Sequence, residues 1–151
     1  MKKNSTKKLY TVLGIILFIS TVNALHATCQ GIGGLISPES FGIEWLEMDK
    51  WMQITVLVGR MVGGLVFSAL LYAFTINTIK GYKAGVLFPR KNFGILIACS
   101  VALFVYMFCY DNMALVGIAN DAVRQIVLDL NTVVCSMTFV VFALMYKIAI
   151  K

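Results

Sequence analysis

The sequence predicts an all-α integral membrane protein: four transmembrane helices in two hairpins, with both termini on the cytoplasmic side. Three observations predict it. The chain is 60% hydrophobic and only 13% charged over 151 residues, and its mean hydropathy is +0.86. That is more apolar surface than a soluble domain of this size can bury, so lipid must be its solvent. The apolar residues fall into four runs, about 9–28, 52–79, 93–113 and 126–147, each long enough to cross a hydrocarbon core. Finally, the charges sort by side. With the N-terminus, the 80–92 turn and the C-terminus placed together, that side holds ten basic residues and no acid. All seven acids fall on the other side with only Lys50 and Arg124, and Arg60 is left within the second span. Lys and Arg concentrate on the inner side of a membrane, which sets the orientation.

The first run follows Lys2, Lys3, Lys7 and Lys8 and is broken only by Ser20, Thr21, Asn23 and His26. A basic head, an apolar stretch and the small residues of Val22-Asn23-Ala24 also fit a signal peptide. A retained first span is the reading favoured here. Residues 30–50 are expected to form an outer loop opening on GIGG. Within it, Ser37-Pro38-Glu39 has the capping hydroxyl and first-turn proline of a helix start. Phe41, Trp45, Met48 and Met52 then recur at helical spacing beside Glu39, Glu44, Glu47 and Asp49. This predicts a short interfacial helix with Trp45 and Trp51 as headgroup-level anchors.

In the second span, Gly59 and Gly63 form a GxxxG pair, and Gly64 with Ser68 repeats the small-xxx-small spacing on the neighbouring stripe. Such stripes let another helix backbone approach closely, so they are expected to be a packing face. The third span is apolar apart from Ser100 and Tyr106. Before the fourth, the stretch NDAVRQIVLDLN reads as an amphipathic lead-in.

Candidate chemistry centres on Arg60, because an arginine at the middle of a span costs roughly 2.5–3.5 kcal/mol on insertion scales and needs a partner or a route to the interface. Asp111 and Asp129 are expected at similar depth, and with His26, Asn23, Asn112 and Asn131 they form a candidate polar cluster beneath the outer surface. It reads either as an ion pair that fixes the rotation of the second span or as a small-ligand, anion or proton site. His26 itself reads as an interface residue. Cys29, Cys99, Cys109 and Cys135 contain no CxxC pair, so they read as buried thiols, with a disulfide among Cys29, Cys109 and Cys135 left open. No catalytic, cofactor-binding or metal-ligating set is expected. The chain has no Walker-type loop, no serine elbow, no adjacent cysteines for thiol exchange and no acid in the first span for proton-coupled export. The basic residues gather at span ends rather than on one aromatic-interleaved face, which argues against nucleic acid.

The turn Lys83-Ala84-Gly85-Val86-Leu87-Phe88-Pro89-Arg90-Lys91-Asn92 resembles the linker of a family of small bacterial four-span membrane proteins, the YoaS-like group. In that group a Lys-x-Gly-x-x-Phe-x-x-x-Asn turn joins the second and third spans, carried here by Lys83, Gly85, Phe88 and Asn92. Gly85 can supply the positive φ that ends a helix, Phe88 can dip into the interface, and Pro89 suits the start of the next helix. Phe93-Gly94 stands where a basic pair is expected, and the polar, acidic tail of many relatives is missing. The resemblance implies a fold and a bacterial inner-membrane location, but no reaction. The expected role is a non-enzymatic helper or regulatory subunit whose glycine face packs against another membrane protein. The alternative is a small oligomeric transporter or channel built on Arg60. Expected partners are membrane lipid and either a membrane protein or further copies of the chain.

Overall fold

A computed structural model describes residues 2–46, 49–116 and 126–150. Four helices dominate it: α1 (Lys2–Ile36), α2 (Lys50–Lys83), α3 (Lys91–Asp111) and α4 (Leu130–Ala149), each long and apolar enough to cross a membrane. Each packs on its neighbour in the chain, α1 on α2, α2 on α3 and α3 on α4. Leu13 of α1, Phe88 of the turn and Ala149 of α4 border one cavity, so the N-terminal half of α1, the turn and the C-terminus share the basic end.

The helices meet along narrow seams of small and hydroxyl residues spaced alternately four and three apart. On α1 the buried positions are Ser20, Ala24, Ala27, Gly31 and Gly34; on α4 they are Thr132, Ser136 and Ala143, with half-buried Phe139 between. A 3.5-residue period keeps one face on a neighbour through a left-handed crossing, and small side chains bring the backbones together where no hydrophobic effect drives association. On α2 a methyl group added at Gly63 would come within 2.9 Å of the Tyr106 backbone nitrogen, and one at Gly59 within 2.6 Å of Cys109 Sγ. At Gly64 it would meet the Tyr106 ring at 3.1 Å and Ala27 at 3.7 Å. The glycine stripe is therefore filled from within the chain by α3 and α1, with Ser68 buried further along the same helix.

The outer region differs from the expected loop. α1 continues through GIGG to Ile36, because Gly31 and Gly34 are contact positions of the seam rather than turn residues. The proline start is present, but only as a 3-10 turn, α5 (Pro38–Phe41), closed by Gly42 at φ 67°. The chain then runs without helix through Leu46, so no interfacial helix forms over the described part of this stretch. Trp45 packs on a core of Ile43, Val56, Leu57, Cys109, Leu115 and Val116, whereas Trp51 is 81% exposed, as an interfacial anchor would be. Glu47, Met48 and Arg124, with all of the NDAVRQ stretch, lie outside the described residues. A second short turn, α6 (Met113–Leu115), follows α3, and α4 begins at Leu130, capped by the Asp129 carboxylate on the Asn131 amide.

At the basic end, α2 closes as expected from the sequence. Gly85 has φ 76°, the Val86 amide donates to the Gly81 carbonyl at 2.8 Å and the Gly85 amide to Tyr82 at 3.2 Å. Those two bonds form a Schellman cap, which needs a left-handed residue where Gly85 stands. Pro89 precedes the cap residue Arg90 rather than occupying the first turn of α3.

Candidate functional site

Arg60 lies ten residues into α2, about 15 Å of helix rise from its start, and is only 4% exposed. It does not reach out to the interface. Its guanidinium stands 5.0 Å from the centroid of the Tyr110 ring on α3, and Nη1 donates to Gln30 Oε1 on α1. Among the described residues Nε has no hydrogen-bond partner. A cation over an aromatic face, with one amide oxygen accepting from it, holds the charge inside the bundle through neutral groups. Gln30 also borders a cavity of about 80 Å³ beside Ile43, Leu57 and Val116, room for at least one water by volume.

The other residues of the expected cluster are placed apart. Asp111 follows Tyr110 by one residue, about 100° around the helix, so Tyr110 turns to α2 while the Asp111 carboxylate accepts from the Thr132 hydroxyl on α4. Asp129 caps α4. His26 is exposed on α1. Among the described residues, Arg60 thus meets an amide and a ring rather than a carboxylate, and Asp111 ties α3 to α4 instead. The four cysteines are free thiols; Cys99 and Cys109 are buried, Cys29 and Cys135 exposed.

Two buried amides organise the acidic end: Gln53, absent from the expected set, and Asn112, expected only as a member of the polar cluster. Gln53, 1% exposed, donates from Nε2 to the carbonyls of Glu44 at 2.9 Å and Leu115 at 3.0 Å, and its Oε1 accepts from the Leu46 amide at 3.0 Å. One side chain therefore joins α2, the non-helical segment 43–46 and α6. Asn112 donates to the Phe108 and Val127 carbonyls, both at 2.7 Å, and accepts from the Val127 amide at 2.8 Å. It holds the lead-in to α4 against the end of α3. Gln53 stands seven residues before Arg60, two turns along the same helix face, which is the sequence signal that could have found it.

Asn92 of the turn motif is fully buried at the basic end. Its Nδ2 donates to Thr78 Oγ1 at 2.9 Å on α2 and to the Tyr146 hydroxyl at 3.1 Å on α4, while Oδ1 has no partner among the described residues. Phe88 stacks edge to face on Tyr146 with centroids 5.0 Å apart, and Lys147 sits 5.7 Å from the centroid of Phe93. Three of the four spans are joined at this one amide. Of the motif, Lys83 ends α2 and is exposed.

Four spanning helices, interhelical polar contacts and small-residue seams define a multi-pass α-helical membrane protein. Compared with protein-family models, with curated proteins and with solved structures, the chain matches none.

Proposed function

We propose that the protein is a non-enzymatic helper or regulatory subunit that packs against another membrane protein, in a bacterial inner membrane with its basic end in the cytoplasm. The observation that carries this reading is a shallow apolar seam of about 570 Å³ on the lipid-facing side of α2 and α3. Val62, Val66 and Leu70 border it from α2, and Ala98, Val101 and Val105 from α3. Val62, Val66, Val101 and Val105 are each 39–62% exposed. Rows of short and β-branched residues at helical spacing offer a groove into which one more spanning helix can settle by van der Waals packing, the main attraction between helices in lipid. Gly59 and Gly63 also line this seam, so the glycine stripe that receives α3 forms one edge of the proposed partner face. Membership of the YoaS-like group belongs to the same proposal, supported by the Schellman cap at Gly85 and the three-helix role of Asn92.

The test is co-purification from the native membrane in mild detergent, with the wild type compared with Val66→Trp and Val101→Trp. Both substitutions sit on the lipid side and should leave the helical content unchanged. A defined membrane protein retained by the wild type and lost from both variants supports the helper reading. A chain that purifies only with itself, or a partner unmoved by the tryptophans, contradicts it.

One observation favours a second reading, a small oligomeric transporter or channel. Arg60 is buried among neutral groups, and its Nε has no partner among the described residues, a state that suits a transient anionic ligand. Arg60→Leu separates the two readings in proteoliposomes. A structural arginine changes stability alone, whereas a pathway arginine changes flux in a chain that still folds.

A further inference from the structure

Among the described residues the bundle is open between its first and last helices: α1 and α4 flank the α2–α3 pair without packing on each other, and towards the basic end the space between them is an apolar groove of about 510 Å³. Leu13 and Ile16 of α1 form one wall, Phe142 and Met145 of α4 the other, and buried Leu71 and Leu96 the floor.

The groove has a defined length and two unlike ends. Along α4 it runs from Phe139 to Ala149, about 15 Å of helix rise and half of the roughly 30 Å hydrocarbon core. Its inner end is blind: Phe67, in the middle of α2, meets Phe139 edge to face with centroids 5.6 Å apart. At the other end Phe88 and Ala149 border both the groove and a second hollow of about 550 Å³, lined also by Gly85, Leu87 and Arg90. The mouth therefore opens on the basic turn, the side where the sequence places ten basic residues and no acid.

A spanning helix needs the whole membrane thickness and a channel about 10–12 Å wide. A blind groove one leaflet deep suits an extended hydrocarbon chain. We propose that it binds one anionic phospholipid from the leaflet on the basic side, with an acyl chain between α1 and α4 and the phosphate at Arg90. The guanidinium fork matches phosphate geometry, and Tyr146, which lines the groove and accepts from Asn92, keeps its own proton to donate to an ester carbonyl. This site uses a different face from the partner seam, so it stands whether or not the helper reading does.

The test is reconstitution of the full chain into bilayers of equal phosphatidylglycerol and phosphatidylcholine, followed by extraction in mild detergent and native mass spectrometry. The wild type should retain one phospholipid, the anionic form favoured about fivefold, the scale expected of one basic residue at an anionic surface. Arg90→Gln, at an exposed position, should keep a bound lipid but bring the two forms to parity. Ile16→Trp, on the groove wall, should reduce retention of both while circular dichroism stays unchanged. Wild-type protein that retains no lipid, or shows no preference, overturns the proposal. So does a preference that survives Arg90→Gln, or a cross-link between Ile16 and Met145 positions of two copies, which would put a second chain over the groove.

Discussion

The two ends of the bundle are built from the same residue types yet packed in opposite ways. At the acidic end, Gln53 and Asn112 each make three hydrogen bonds to backbone and sew non-helical segments onto α2 and α3, over a core that includes Leu57 and Val116. At the basic end, Asn92 joins three helices with an oxygen left over, and beside it the groove between α1 and α4 is unfilled. The difference follows from what each end must satisfy. Irregular backbone near a membrane surface carries polar groups that need partners, so the acidic end, which holds the long connections, needs buried amides. At the basic end the described connection between helices is one capped turn. Lipid can complete that end.

This comparison can be broken by substitution, beginning where the largest effect is expected. Gln53→Leu strands the Leu46 amide and the Glu44 and Leu115 carbonyls, and at about 1 kcal/mol for each lost partner the loss should be about 3 kcal/mol in equilibrium unfolding from mixed micelles. Gly63→Val forces a side chain against the Tyr106 backbone, where an added Cβ already stands at 2.9 Å. Overpacking of this kind costs about 2 kcal/mol, and the α2–α3 separation should widen in a cross-linking series. Asn92→Leu removes contacts worth about 0.6 kcal/mol on average between membrane helices, partly offset by removing the unpartnered Oδ1, so its effect should be under a quarter of that at Gln53. Met145→Ala on the groove wall should stay within about 0.5 kcal/mol, since that side chain faces apolar surroundings in either state. If Met145→Ala costs as much as Gln53→Leu, the two ends are equally packed and the comparison fails.

Sequence reading reached the features that composition and local chemistry control. Four spans, the charge asymmetry and the Gly85 cap follow from hydropathy, Lys and Arg placement and a φ that only glycine takes easily. The course of residues 30–50 was not legible for the same reason that GIGG is ambiguous. Glycines mark a turn in a soluble loop, but Gly31 and Gly34 continue the spacing begun at Ser20, Ala24 and Ala27, and in lipid that pattern is a helix seam. Arg60 was legible as a buried charge, whereas its partners were not. Whether α3 turns Tyr110 or Asp111 towards α2 depends on a rotation that packing sets, and Gln30 was hidden by the expectation of a loop. The groove could not be read at all, because it is space between two helices that do not meet.

The most direct test of the account is a pair of distance distributions by pulsed electron paramagnetic resonance in lipid nanodiscs, with Cys29→Ala and Cys135→Ala removing the exposed thiols. One spin-label pair, at Ile16 and Met145, spans the groove; the other, at Glu44 and Ala114, spans the acidic end. The account predicts a narrow distribution at the acidic end whatever the lipid. Across the groove it predicts one that is broad in phosphatidylcholine and narrows when phosphatidylglycerol is added. Two distributions equally narrow and indifferent to lipid would contradict it.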